Sequence, residues 1–215
     1  MKKKTNREIK DVLYEQVARI AKALASPKRL EIIELLCQAP KSVEELAREL
    51  DISVKLTSAH LKALRESCLV QTERQGKYIV YRIASDQVPP FYAMLRTLAE
   101  ERLLALQEAL REMAQSSHEW QGASADALLR KARSGEVVVI DVRPDAEYAH
   151  AHLPFARSIP IAELRTRLGE LPKDKPVVAY CRGPYCLMSA QAVDLLQAKG
   201  FTAFQWRGDV LSLTP

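Results

Sequence analysis

Through the first half of the chain, apolar residues recur every three to four positions, the spacing of amphipathic helices. From Arg7 to Leu24 they fall at Ile9, Val12, Leu13, Val17, Ile20, Ala21 and Leu24, one face of a helix. Ser26-Pro27 predicts a second helix, with Ser26 as N-cap and Pro27 in its first position, running to about Cys37 ahead of Pro40. Ser42-x-x-Glu45 spells a capping box for a third helix ending at Leu50. Asp51-Ile52-Ser53 is a short turn, and Val54 to Ser67 reads as a fourth helix. Leu69 to Arg74 and Lys77 to Ile83 then alternate apolar and polar residues around Gln75-Gly76, the pattern of a β-hairpin. Pro89-Pro90 predicts a stop. Phe91 to Met113 follows as one long helix striped with Met94, Leu95, Leu98, Leu106, Ala109, Leu110 and Met113. An apolar stripe of that length needs a partner, so the first and last helices of this half are expected to form a dimer interface.

The second half changes period. Gln115-Ser116-Ser117 predicts a hinge, which divides the chain into domains 1–115 and 116–215. Ser124 caps a helix to about Arg133, Ser134-Gly135 ends it, and Val137 to Val142 is a buried strand stopped by Pro144. Ala162 to Leu168 reads as a helix. From Pro176 to Gly200 an apolar strand ends at Cys181, a loop rich in Gly and Pro follows, and Ser189 to Lys199 forms a helix closed by Gly200. Phe201 to Trp206 supplies a further strand. Strands alternating with helices predict a parallel sheet, with Cys181 at the carboxyl end of a strand, where such sheets bind ligands.

Composition supports two cores: the chain has 215 residues, 47% of them hydrophobic. The net charge of +5 is uneven, with twenty basic against sixteen acidic residues in 1–115 and twelve against eleven in 116–215. Between Ser53 and Arg82 stand Lys55, Lys62, Arg65, Arg74, Lys77 and Arg82 against Glu66 and Glu73. Two short helices around a three-residue turn, the second one basic and followed by a hairpin with a basic tip, form a helix-turn-helix with a wing, and a nucleic-acid surface belongs there. The basic start MKKKTNREIKD has no apolar run behind it, and no stretch reaches membrane-spanning length, so a cytoplasmic protein with no membrane partner is expected. Four cysteines are too few for a disulfide scaffold and are expected as thiols.

The chemistry concentrates at Cys181. A cysteine between strand and helix meets backbone N–H groups and the positive end of a helix dipole, both of which favour thiolate over thiol, so Cys181 is expected to be a nucleophile near neutral pH. Arg182 stands beside it and a second thiol, Cys186, shares the loop. The residue six after Cys181 is Leu187, so the Cys-x5-Arg pattern that holds a phosphoryl group is absent.

Both halves resemble known families. SPKRLEIIELL, SVEELARELDISVKLTSAHLKALRESCLV and the wing RQGKYIVYRI resemble the ArsR/SmtB family of winged-helix repressors over roughly residues 10 to 112. The resemblance implies a homodimer whose fourth helix enters the major groove of double-stranded operator DNA. Lys55, Thr57, Ser58 and His60 would face that DNA, with Lys62 adding charge and Arg74 and Lys77 on the wing. His60 can equally be a packing residue between helices. Metal sensing of the kind found in that family is not expected: no Cys-x-Cys pair lies in the third helix, and the long last helix has neither His nor Cys. Cys37 reads as a core thiol. Cys68 stands where the family has a helix-terminating Gly, a position that often needs positive φ, and a sensing pair of Cys37 and Cys68 is a further reading.

IDVRPDAEYAHAHLPFARSIP and YCRGPYCLMSAQAVDLLQAKGF resemble the single-domain rhodanese family over roughly residues 120 to 211. That resemblance implies that Cys181 accepts sulfane sulfur as a persulfide in a cradle built from residues 182 to 186. Gly183, Tyr185 and Leu187 belong to the cradle, and Asp141, Arg143, Glu147 and His152 hold the scaffold around it. Departures are Cys186 and Leu187 at loop positions usually Arg, Thr or Ser, Pro184 with no N–H to donate, and Ala151 for a usual Gly. The fold class is therefore a mostly helical α+β winged helix-turn-helix followed by an α/β rhodanese-like domain with a parallel sheet. The expected function is a transcriptional regulator, a repressor by expectation, in which Cys181, with Cys186 as a resolving thiol, senses a small sulfur donor or an oxidant. No cofactor is expected. Two alternatives stay open: a sulfurtransferase tethered to a DNA-binding domain, and capture of As(III) by Cys181 and Cys186.

Overall fold

In the computed structural model, which describes residues 5–115, 118–120 and 124–208, the chain divides into two compact units between Leu95 and Arg96. Of the expected hinge Gln115-Ser116-Ser117, Gln115 is the last residue of a helix and Ser116-Ser117 lie outside the described residues.

The first unit opens with α1 (Asn6–Leu24), headed by a capping box between Thr5 and Glu8. Helix α2 (Pro27–Gln38) starts where Ser26-Pro27 predicts, although the Ser26 side chain makes no capping bond. Strand β1 (Lys41–Ser42) precedes α3 (Val43–Leu50), and the Ser42–Glu45 capping box is present. Asp51 takes a left-handed conformation in the turn, and Ser53 caps α4 (Val54–Glu66). The core is built from Ile32, Ile33, Leu46, Leu50, Leu61 and Leu64, one set from each of α2, α3 and α4. Cys68, at the end of α4, has φ +57, the conformation that a glycine would favour there.

The wing is β2 (Val70–Gln75) with β3 (Tyr78–Ile83). Gln75 pairs with Tyr78, so the turn residues are Gly76 and Lys77, one place later than expected, with Gly76 at φ +62. Sequence reasoning missed β1, which pairs with β3 through Lys41–Tyr81 and Ser42–Val80 and ties the wing to the start of α3.

Helix α5 (Val88–Arg102) starts before the two prolines rather than after them. Pro89 and Pro90 occupy its first turn, where the N–H that proline lacks has no intrahelical acceptor, so they start the helix instead of stopping it. The predicted single helix is interrupted at Leu103 and resumes as α6 (Leu104–Gln115). Gln107 Nε2 reaches back to the carbonyls of Glu100 and Glu101, at 2.9 and 3.2 Å, and satisfies acceptors freed by the break.

The second unit holds a four-stranded parallel sheet in the order β5-β4-β6-β7: β4 (Val138–Asp141), β5 (Arg157–Ser158), β6 (Val177–Tyr180) and β7 (Ala203–Trp206). Four α-helices accompany it: α7 (Ala125–Ser134), α8 (Asp145–His150), α9 (Ile161–Arg167) and α10 (Met188–Ala198). Neither α8 nor β5 was anticipated, being six and two residues long. Strand alternation sends Val177, Ala179 and Cys181 into one core with Ala192, Val193 and Leu196 of α10, and Val178 and Tyr180 into the other with Leu128 and Trp206. The position of Cys181 is thus fixed by a central strand buried on both faces.

Candidate functional site

Strand β6 delivers Cys181 to the carboxyl edge of the sheet, and the loop 182–187 folds back over it. The Cys186 N–H donates to the Gly183 carbonyl at 3.1 Å, a turn that brings residue 186 back to residue 181. The Cys181 thiol then reaches the Cys186 carbonyl oxygen at 3.4 Å and lies 3.1 Å from the Ser189 hydroxyl. Gly183 has φ +147, outside the reach of most side chains. Only 2% of Cys181 is exposed.

Burial pushes the Cys181 thiol up, but hydrogen bonds from the Cys186 and Ser189 side chains and from the backbone N–H groups of Ser189 and Gly183 outweigh it and bring the pKa down to about 7. Cys186 moves the opposite way: its bond to Cys181 and its own burial hold it as the thiol. Of the two sulfurs, Cys181 is therefore the one that ionises first.

A buried ionic frame supports the loop. Asp141 and Arg143 are both fully buried, with Arg143 Nη2 to Asp141 Oδ2 at 2.6 Å and the Arg143 N–H to Oδ1 at 3.0 Å. Arg143 Nη2 also donates to the Ala151 carbonyl. Tyr180 donates its hydroxyl to Asp141 Oδ2 at 2.7 Å and accepts the Leu153 N–H. Burial and the neighbouring Asp141 carboxylate raise the Tyr180 phenol well above its usual range. Glu147, also fully buried, takes the Arg182 guanidinium in two bonds, Nε to Oε2 at 2.9 Å and Nη2 to Oε1. Arg182 therefore anchors the loop to α8, with its charge committed to Glu147. His152 is exposed and stacks on Tyr148, ring centroids 3.9 Å apart, with Nδ1 at 2.9 Å from the Tyr148 carbonyl oxygen.

Of the other cradle positions, Tyr185 offers its ring to Arg96, whose guanidinium carbon is 5.7 Å from the ring centroid, and Leu187 is exposed at the start of α10. Three residues at the loop escaped sequence reasoning. Ser189 sits in the first turn of α10, Gln205 is a polar residue inside the apolar strand β7, and Arg96 comes from α5. The polarity of Gln205 in a buried strand was a readable signal; nothing in the sequence marks Arg96.

In the first unit, Lys55, Ser58 and Lys62 are exposed along α4, and Arg74 and Lys77 are exposed at the wing tip. Thr57 corrects the expectation of a DNA-facing residue: it is fully buried, and its hydroxyl donates to the Ser53 carbonyl at 3.0 Å. Its position four before Leu61 and seven before Leu64 puts it on the core face. His60 is half-buried, and burial with the nearby Arg29 charge lowers its pKa. Cys37 is buried and Cys68 exposed, and neither is in a disulfide. Among the described residues, no cluster of three or more His, Cys, Asp or Glu is placed to hold a metal ion, and no helix is long and apolar enough to cross a membrane.

A winged helix with a basic recognition face, joined in one chain to a parallel sheet bearing a shielded cysteine at its carboxyl edge, defines a DNA-binding regulator with a second, α/β domain. Residues 26–72 match the bacterial regulatory proteins of the arsR family, and residues 124–207 match the rhodanese-like domain. The HTH-type transcriptional regulator Rv0324 of Mycobacterium tuberculosis is 40% identical over 191 residues, 89% of this chain and 84% of that protein. YgaV, an HTH-type transcriptional regulator of Escherichia coli, is 35% identical over 39% of this chain and 86% of its own length. A sulfurtransferase of Allochromatium vinosum is 33% identical over 39% of this chain and 77% of its own length. The chain belongs to the ArsR-family transcriptional regulators that carry a C-terminal rhodanese-like domain.

Proposed function

We propose that the protein is a homodimeric, operator-binding repressor that releases DNA when Cys181 takes up sulfane sulfur or is oxidised, with Cys186 as the resolving thiol. The observation that carries this reading is the back-folded loop, which brings the Cys186 carbonyl oxygen to 3.4 Å from the Cys181 sulfur and the two thiols into a hydrogen bond. The Cys181 thiolate would attack the sulfane sulfur of a donor such as thiosulfate, breaking the donor's S–S bond, keeping that sulfur as a persulfide and releasing the remainder, here sulfite. The Cys186 thiol then attacks the inner sulfur, forms the intraloop disulfide and expels hydrosulfide, which keeps the Cys186 proton. From a sulfenic acid the same attack expels water. In a Cys186→Ser chain the persulfide is expected to accumulate and no reducible intraloop bond to form, read by peptide mass spectrometry with and without reductant. A disulfide that still joins Cys181 to another cysteine would contradict the assignment.

The domains act as 1–115 for DNA and dimerisation and 116–215 for sulfur chemistry. The dimer reading rests on apolar helix faces left bare in the single chain, Val17 on α1 at 69% exposure and Met94 on α5 at 71%, with Leu13 and Leu98 beside them. Sedimentation at twice the 24.2 kDa chain mass is expected, and a monomer at micromolar concentration would contradict it. On the DNA face, Lys55, Ser58 and Lys62 lie in the groove and Arg74 and Lys77 follow the backbone. Lys55→Ala should weaken operator binding by about 1–3 kcal/mol if it reads a base, or lower the salt slope by about one if it meets a phosphate. No change in either measurement removes Lys55 from the interface.

A second reading, turnover of a sulfur donor, draws on the likeness to the Allochromatium vinosum sulfurtransferase. Many turnovers per chain without any change in operator affinity would favour it. Arsenite titration of the loop separates the third possibility, because only two thiols, Cys181 and Cys186, are available there.

A further inference from the structure

Gln205 is 1% exposed, as is Ser189, and no role has yet been given to Gln205. A buried amide without partners costs about 1–3 kcal/mol, so a glutamine in strand β7 needs a use for both of its ends. Strand alternation turns Ala203 and Gln205 toward α10, and Gln205 Nε2 meets Ser189 Oγ at 2.8 Å. At the other end, Arg207 Nε lies 3.3 Å from Gln205 Oε1, and Arg207 Nη2 donates to the Met113 carbonyl at 2.9 Å.

A guanidinium can only donate, so Arg207 fixes the amide with its oxygen outward and its NH2 toward Ser189. Ser189 Oγ is then an acceptor on the Gln205 side. The hydroxyl has one proton, and the Cys181 sulfur, 3.1 Å away, is where it goes.

We propose that Arg207, Gln205 and Ser189 form a one-way chain of hydrogen-bond donors ending on Cys181 Sγ, in which Gln205 is a positioning residue that keeps the Ser189 proton on the thiolate. Without Gln205 the hydroxyl is free to rotate and share its proton elsewhere. With it, the donor faces the sulfur before any substrate arrives, which stabilises the anion and lowers the cost of reaching it. The inference rests on Cys181 being the reactive thiol, but its test does not pass through DNA.

The test is the pH dependence of Cys181 alkylation by iodoacetamide in the full chain, followed by peptide mass spectrometry. The native midpoint is expected near 7. Gln205→Leu should raise it by about one unit, and Ser189→Ala by at least as much. Adding Gln205→Leu to Ser189→Ala should move it no further, because Gln205 acts only through Ser189. Should Gln205→Leu fail to fold, Gln205→Glu keeps the shape; its carboxylate accepts the Ser189 proton instead of donating, so the midpoint again rises. A purely structural role would change the alkylation rate at every pH and leave the midpoint alone. An unmoved midpoint in a folded Gln205 variant, or a shift that persists in the Ser189→Ala background, overturns the relay. Loss of the operator response with the midpoint shifts intact would instead overturn the sensing reading and leave the relay standing.

Discussion

Replacing Arg143 with methionine is expected to destabilise the second unit by about 3–5 kcal/mol, the usual cost of removing one partner from a buried ion pair. Asp141 is fully buried, and Arg143 is the cation that compensates it; the bonds from the Tyr180 hydroxyl and the residue 143 N–H would remain but cannot neutralise the charge. Arg143 Nη2 also holds the Ala151 carbonyl, so the segment leading to His152 would lose an anchor as well. Whole domains hold only about 5–15 kcal/mol in total, so the variant would be marginal. The measurement is convenient, because both tryptophans of the chain, Trp120 and Trp206, lie in the second unit and report on it alone. Urea unfolding followed by tryptophan emission should show the midpoint falling sharply in Arg143→Met. An unchanged midpoint would mean that the Asp141–Arg143 pair does not hold the second unit together.

The second large effect is chemical. Cys181→Ser should abolish persulfide formation at residue 181, since a serine hydroxyl cannot accept sulfane sulfur. The native rate carries a pH signature with a definite sign. Because the thiolate is the nucleophile and the Cys181 pKa is near 7, uptake should fall about tenfold from pH 8 to pH 6 and be nearly flat above pH 8. A thiol without the loop's donors would still be gaining rate at pH 9. Persulfide formation that continues to climb tenfold between pH 8 and pH 9 would therefore contradict the hydrogen-bonded thiolate.

These effects trace to features that were unequally visible in the chain. The Ser42–Glu45 capping box, Ser124 and Gly135 stand where the local chemistry of helix ends puts them. Positive φ at Cys68 was legible only through the resemblance, which puts a helix-terminating Gly at that position. Pro89-Pro90 was misread because proline both ends and begins helices, and only the packing of Val88 and Tyr92 decides which. The interruption at Leu103 carries no Gly or Pro to announce it. Helix α8 is shorter than two turns, too brief for a period to show.

At the site, the loop cysteine was legible from the strand, loop and helix that converge on it, whereas the direction of Arg182 was not. Adjacent residues in an irregular loop need not face the same way, and the buried Glu147 carboxylate, 35 positions earlier, claims this guanidinium. Thr57 shows the converse. The resemblance placed it toward DNA, yet its spacing to Leu61 and Leu64 puts it in the core. Ser189 and Gln205 come from the helix after the loop and from the neighbouring strand, so only the folded sheet brings them to the sulfur.

The central claim is that sulfur chemistry at Cys181 sets operator affinity. Its most direct test is fluorescence anisotropy of labelled operator DNA titrated with reduced protein and with protein treated with a sulfane-sulfur donor, for the native chain and for Cys181→Ser. The account predicts at least tenfold weaker binding by the treated native protein, a change of about 1.4 kcal/mol or more, and no response from Cys181→Ser. Native affinity that stays constant while the donor is consumed over many turnovers would contradict it.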